Sequence, residues 1–285
     1  MLAQLEGVVD IHAHVDPESI PRSVDAMDLA RLARKAGMRA VVFKNHYIPT
    51  APIAFLVARE VPGVLVFGGI ALNSQIGGIN AAAVEQMIQL PGRYGRIVWM
   101  PTQDAAPGPD PRGSKGSGPA RAYSRTVPVV QNGELLPAVR DALSLIAKHD
   151  LALATGHLEP DAALLLIREA RKMGISRIVV THPVNRWSIE QQKEAATLGA
   201  YLEYCYVGTL EFAGSARRTM SEYAKFMKDI GPEHCIMSSD LGNALNPVHT
   251  AGWKTYIEEL LKAGITQQEI DWMAKRNPAR LLALE

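Results

Sequence analysis

Val9-Asp10-Ile11-His12-Ala13-His14-Val15-Asp16-Pro17 reads as an apolar strand that ends in two histidines one residue apart. Side chains alternate across a strand with period two, so His12 and His14 are expected to point the same way, with Asp10 behind them on the same face. Two imidazoles leaving one rigid strand end make a ready pair of metal ligands. A pair at this spacing also arises by chance in ordinary strands. Its meaning depends on whether the rest of the chain supplies further ligands.

Outward from this strand the chain repeats one unit. Short apolar runs rich in β-branched residues alternate with helical patterns, which argues for βα units around a parallel sheet. Eight such strands are expected, at 7–12, 40–44, 64–72, 96–100, 151–157, 177–182, 200–206 and 235–240. Helical patterns lie at 25–35, 50–59, 81–90, 135–148, 161–173 and 188–198, and Gly37, Gly174, Gly199 and Gly264 stand where left-handed caps would end helices. No glycine-rich dinucleotide fingerprint follows the first strand, so an open doubly wound sheet is disfavoured. The fold expected is α/β: a single (β/α)8 TIM barrel over 1–285, a length that suits this fold.

Composition narrows the class of partner. A net charge of +1 with 47% hydrophobic residues leaves no electrostatic footprint for nucleic acid or an anionic membrane. A small-molecule substrate is the expected partner, and homo-oligomerisation is left open. Cys205 and Cys235 sit in apolar runs and read as buried thiols of a reducing compartment. The first residues lack a basic segment before an apolar one, and no run approaches the ~20 apolar residues of a membrane span. A soluble, cytoplasmic protein is expected.

One connection breaks the rhythm. After the fourth strand, 103–134 contains Pro107-Gly108-Pro109-Asp110-Pro111-Arg112-Gly113-Ser114-Lys115-Gly116-Ser117-Gly118-Pro119, which cannot build a core. It is either a surface insertion or, because loops after barrel strands emerge on the catalytic face, a lid.

Placing all strand C-termini at one rim gathers the titratable residues there. His12 and His14 leave strand one, Lys44 and His46 strand two, His157 strand five, His182 strand six and Asp240 strand eight. Solubility explains such a coincidence poorly. Imidazoles and a carboxylate around one mouth suit zinc or a similar divalent cation.

With these residues assembled, the sequence resembles the amidohydrolase superfamily of metal-dependent barrel hydrolases, from Asp10-Ile11-His12-Ala13-His14 to Arg276-Asn277-Pro278-Ala279-Arg280-Leu281-Leu282. The resemblance implies one or two cations held by His12 and His14, by His157 in Thr155-Gly156-His157-Leu158, by His182 in Thr181-His182-Pro183 and by Asp240 in Ser238-Ser239-Asp240. With the histidine pair starting at residue 12, it implies a compact barrel without a flanking β-sandwich. Two-metal relatives bridge their ions with a carbamylated lysine or a glutamate from strand four. Here Ile97-Val98-Trp99-Met100-Pro101-Thr102 offers neither. Lys44 is the candidate replacement, because burial beside cations favours a neutral amine able to capture carbon dioxide. An uncarbamylated Lys44 that binds a substrate anion, or one in an ion pair, is the alternative.

The implied reaction is hydrolysis of an amide, cyclic amide, lactone or ester by a metal-activated hydroxide, with Asp240 as the catalytic proton carrier. Alternatives are phosphoester or phosphotriester hydrolysis, a one-metal decarboxylase or lyase, and a binding barrel without turnover. No G-x-S-x-G elbow supports a nucleophilic serine. Asp10 is expected to fix an imidazole tautomer from behind the histidine pair. His46 is a ligand, a substrate donor or a partner of a ligand, and Arg186 and His249 are candidates for substrate contact, His249 being favoured as structural. His149 and His234 lie at the opposite end. Asn73, Asn80, Trp187, Glu203 and Tyr206 complete the pool near the rim.

Overall fold

Eight parallel strands follow one another in chain order: Val9–His14, Ala40–Lys44, Leu65–Ala71, Gly95–Trp99, Ala152–Ala154, Ile178–Val180, Tyr201–Cys205 and Cys235–Ser238. The structure, a computed structural model, describes residues 5–106, 125–211 and 217–284. Each strand pairs with the next. The last returns to the first where Asp240 N donates to His12 O at 2.8 Å and His14 N donates to Leu241 O at 2.9 Å. The sheet therefore closes as the barrel the sequence implies, and its seam lies at the histidine pair.

Helices Ala26–Lys35, Ala51–Glu60, Ala81–Gln89, Pro137–Lys148, Pro160–Lys172, Ile189–Thr197, Met220–Ile230 and His249–Lys262 cover the outside. Their starts follow local chemistry. Asp25 and Asn80 cap orphan amides, and Ser188 and Thr219 build capping boxes with Gln191 and Glu222. Two apolar layers result. The outer one joins strand residues such as Ala13, Val41, Phe43 and Val98 to the helices, while Val9, Ile11, Val42, Phe67, Ile97, Trp99 and Val179 fill the barrel. Ala279, Leu281 and Leu282 belong to the inner layer, so the C-terminal segment plugs one end of the barrel.

The first strand departs from strict alternation. Asp10 pairs with Val41 and Ala13 with Phe43, so Ile11 and His12 together stand opposite the single residue Val42. This bulge restarts the alternation. Asp10 is carried to the helix-facing side with Val41, where the Trp253 indole donates to its Oδ2 at 2.8 Å. The expected placement of Asp10 on the face shared by His12 and His14 is thus corrected.

Of the 103–134 connection, 107–124 lie outside the described residues, and so does the greater part of the expected lid. The described remainder includes a hairpin pairing Val130–Gln131 with Glu134–Leu135. Among the described residues no sheet stands beside the barrel other than this hairpin. No helix among them is long and apolar enough to cross a membrane.

Candidate metal centre

Three imidazoles aim at one carboxylate. His12 Nε2 lies 2.8 Å and His14 Nε2 3.1 Å from Asp240 Oδ1, and His182 Nε2 lies 3.3 Å from Asp240 Oδ2. The bulge in the first strand brings both histidines inward. Asp240 and His182 reach the same point from left-handed backbone, at φ of 47° and 51°. Such conformations are costly for residues with a Cβ and persist where the surroundings enforce them. At Asp240 the enforcement is visible, since its amide is bonded to His12 O across the seam.

Lys44 rises from the second strand, fully buried, with Nζ 2.7 Å from His12 Nε2 and 5.4 Å from the centre of the Trp99 ring. Trp99 forms the apolar floor beneath the site. Gly69 makes room for it, because a Cβ there would come within 2.5 Å of the indole. Burial lowers the Lys44 pKa, although Asp240 and Glu203 partly oppose it. Burial would also lower His12, but Asp240 and Glu203 outweigh that cost and leave its pKa raised. For Asp240 burial acts upward, and His12 and His182 overcome it and hold the carboxyl well below the usual range. His182 is pushed down to about 4 by burial.

Two carboxylates stand behind the histidine pair. Glu203 Oε1 accepts from His12 Nδ1 at 3.0 Å and from Ser238 Oγ at 2.8 Å. Glu18 Oε2 lies 3.6 Å from His14 Nδ1 and is bound by the Arg22 guanidinium at 2.6 Å, and Arg22 Nη2 also reaches His14 Nδ1 at 3.2 Å. Sequence context assigns neither acid to the histidine pair. Glu203 carries a usable signal, a single charge inside the otherwise uncharged strand Tyr201–Cys205; Glu18 carries only its spacing of four from both His14 and Arg22. The imidazole contact expected of Asp10 is made by Glu203. Asp10 Oδ1 instead accepts the main-chain amides of His12 at 3.2 Å and Ser239 at 3.1 Å, bracing the seam.

The remaining candidates lie around this core. His157 is half-buried beside His182, with ring centres 5.4 Å apart, and does not bond Asp240. It is turned inward by Gly156 at φ +61°, where a Cβ would come 2.3 Å from Met100 O. His46 packs on His14 at 4.7 Å between ring centres and bonds Thr102 Oγ1 through Nδ1 at 2.9 Å. Burial, reinforced by His14 and Lys44, holds it well below the usual imidazole range. Arg186 donates to Glu159 at 2.7 Å and to His157 O at 3.2 Å on the exposed rim. His249 is buried, with Nε2 donating to Leu241 O at 3.0 Å, so it holds the loop after the last strand. The thiol of Cys205 is free and buried, and Cys235 is likewise.

The donor set fits a divalent cation. An imidazole nitrogen carries one proton or one lone pair, so His12 Nε2 cannot satisfy both Lys44 Nζ and Asp240 Oδ1 as hydrogen-bond partners. Two carboxylates, Asp240 and Glu203, flank the same ring where burial disfavours a charged Lys44, so positive charge placed between them is favoured. Ligand atoms of His12, His182, Cys205 and Asp240 all lie within 4.8 Å of one another, and those of His14, Glu18 and His46 form a second such group.

Comparison with known proteins agrees with this architecture. Residues 7–203 match a family of unknown function (DUF6282), and residues 155–282 match the phosphotriesterase family. The second match includes His157, His182 and Asp240. No match was found among curated proteins. An organophosphorus hydrolase from Deinococcus radiodurans superposes with a TM-score of 0.62 at 15% identity, covering 99% of this chain and 93% of its own. An amidohydrolase from Pseudomonas aeruginosa gives 0.64 at 14% identity, covering 99% and 97%. A protein from the engineering of organophosphate hydrolysis on a weak promiscuous lactonase template gives 0.63 at 14%, covering 99% and 96%. At these identities the superpositions establish the barrel fold. The phosphotriesterase-family match adds a similarity over residues 155–282, the second half of the barrel.

Proposed function

The chain belongs to DUF6282, a family of unknown function, and from its site chemistry we propose that it is a metal-dependent hydrolase cleaving an amide, cyclic amide, lactone or ester bond of a small molecule. The observation that carries this reading is the convergence of His12, His14 and His182 on the Asp240 carboxylate. Bound there, a divalent cation, zinc in our reading, supplies Lewis acidity and lowers the pKa of water toward neutrality. Asp240 is ionised at neutral pH and partly open to solvent, so it can take a proton from the attacking water and deliver it to the leaving group. Trp99 and the buried strand ends keep the floor of the site dry, which strengthens each charge interaction above it.

A binuclear site would place His12, His14 and Asp240 on one ion and His157 and His182 on the other, with Lys44 between them. Its buried amine is held toward the neutral form, and addition to carbon dioxide would give a carbamate and release one proton. Left free, Lys44 suits a one-metal site and the decarboxylase or lyase reading.

Hydrolysis of a phosphotriester is a second reading, supported by the phosphotriesterase-family match over 155–282. We place the protein in the cytoplasm, in keeping with its two free buried thiols. The test is metal analysis of purified protein with a hydrolysis screen over amides, lactones, esters and phosphotriesters before and after chelation. Turnover that disappears on chelation and returns with zinc supports the proposal. A single metal with release of carbon dioxide from an acid substrate would overturn it.

A further inference from the structure

We infer that Glu203 is a positioning residue that presets His12 for metal binding, an inference resting on the metal-site reading above. Glu203 sits within the seventh barrel strand, 1% exposed, and its Oε1 accepts from both His12 Nδ1 and Ser238 Oγ. An ionised carboxylate only accepts, so the bond to His12 requires a proton on Nδ1. The lone pair is then available on Nε2, the nitrogen that faces Asp240 at 2.8 Å and Lys44 at 2.7 Å. This is the carboxylate–histidine–metal arrangement that fixes ring orientation and raises ligand basicity.

A packing role explains Glu203 poorly. Its second oxygen, Oε2, is buried and has no hydrogen-bond partner among the described residues. A glutamine or leucine would fill the space without burying a charge. The charge is useful if positive charge resides on the ring it touches, and a cation on Nε2 provides that. His14 is held differently, because Arg22 donates toward its Nδ1 and competes with Glu18 for that edge. Of the pair, His12 is the one preset.

The test uses Glu203→Gln, equal in size but able to donate an amide proton to Nδ1, with Glu203→Asp as the variant that keeps the acceptor. Zinc affinity is measured on full-length protein by competition with a chromophoric chelator. The Nδ1 proton of His12 is followed by NMR in the zinc-loaded state, assigned by its loss in His12→Asn. Glu203→Gln should bind zinc about 10- to 100-fold more weakly and lose the hydrogen-bonded Nδ1 resonance, while Glu203→Asp retains the resonance and much of the affinity. Should Glu203→Gln fail to fold, Glu203→Asp decides through whether its resonance moves with the lengthened bond. Native protein that binds no zinc overturns the metal-site reading itself. Native binding matched by Glu203→Gln, with the resonance unmoved, overturns this inference alone.

Discussion

His12 and Asp240 are joined twice, by the 2.8 Å bond from Asp240 N to His12 O and by the 2.8 Å approach of His12 Nε2 to Asp240 Oδ1. The main-chain bond closes the barrel and the side-chain contact begins the candidate metal site, so one seam serves both. The two can be separated experimentally. Asp240→Asn leaves the main-chain bond intact and should fold with a melting temperature close to native. It should lose about 10²- to 10⁴-fold in kcat through loss of the proton carrier. Steady-state kinetics with metal content determined in parallel checks this; native turnover at full metal occupancy would remove Asp240 from its assigned role.

Much of this site is legible in the sequence. The placement of His12, His14, His157, His182 and Asp240 at one mouth follows from strand order and from the rule that strand C-termini share a rim, both of which depend only on hydrophobic patterning. The bulge does not follow, because nothing in Asp10-Ile11-His12-Ala13 marks the residue at which the alternation restarts. Glu203 is visible as a lone charge in an apolar strand, yet its partner lies 191 residues away, and patterning carries no distance between them. The fifth and sixth strands are shorter than their apolar runs suggest. They stop at Ala154 and Val180, and His157 and His182 stand on the turns that follow.

Lys44 divides the one-metal and two-metal readings. Lys44→Met removes the amine and keeps most of the buried stem. If Lys44 bridges, metal content should fall from two ions per chain to one and turnover should drop with it. Intact-mass measurement of native protein under gentle conditions should show the added carboxyl group. Two ions retained in Lys44→Met would contradict the bridge.

Metal-free protein should lose stability as pH falls from about 6.5 toward 4. Burial holds His182 and His249 at about 4, and lowers His14, His46 and His157 as well. Unfolded imidazoles take a proton near 6.5 while these stay neutral in the fold, so the unfolded state binds more protons and stability rises with pH across that window. His12 has the opposite sign: its raised pKa stabilises below about 6.5 and that contribution is lost as pH climbs through its folded value. Five lowered imidazoles outnumber the two raised groups, His12 and the Asp10 carboxyl, and set the net slope, each group contributing at most about 1.4 kcal/mol per pH unit. Urea midpoints of chelator-treated protein should be lower at about pH 5 than at about pH 7; equal midpoints would refute this.

Trp253 supports the site from outside the barrel through its bond to Asp10 Oδ2. Trp253→Phe leaves that buried oxygen without its donor and should cost about 1–3 kcal/mol from this bond, besides the lost indole packing. Asp10 is held above the usual carboxyl range by burial, with Ser239 and Trp253 opposing, so losing the indole should raise it further. Denaturant unfolding reports the first effect, and a variant as stable as native protein would show that the bond contributes nothing.

In our reading His12, His14, His182 and Asp240 converge to hold a divalent cation. Anomalous diffraction at the zinc absorption edge, from crystals grown with stoichiometric zinc, tests it without reference to any substrate. A strong peak is expected at about 2.0–2.1 Å from the histidine Nε2 atoms, with a second peak near His157 if Lys44 bridges. Zinc-bound crystals with no anomalous peak among these four side chains would contradict it.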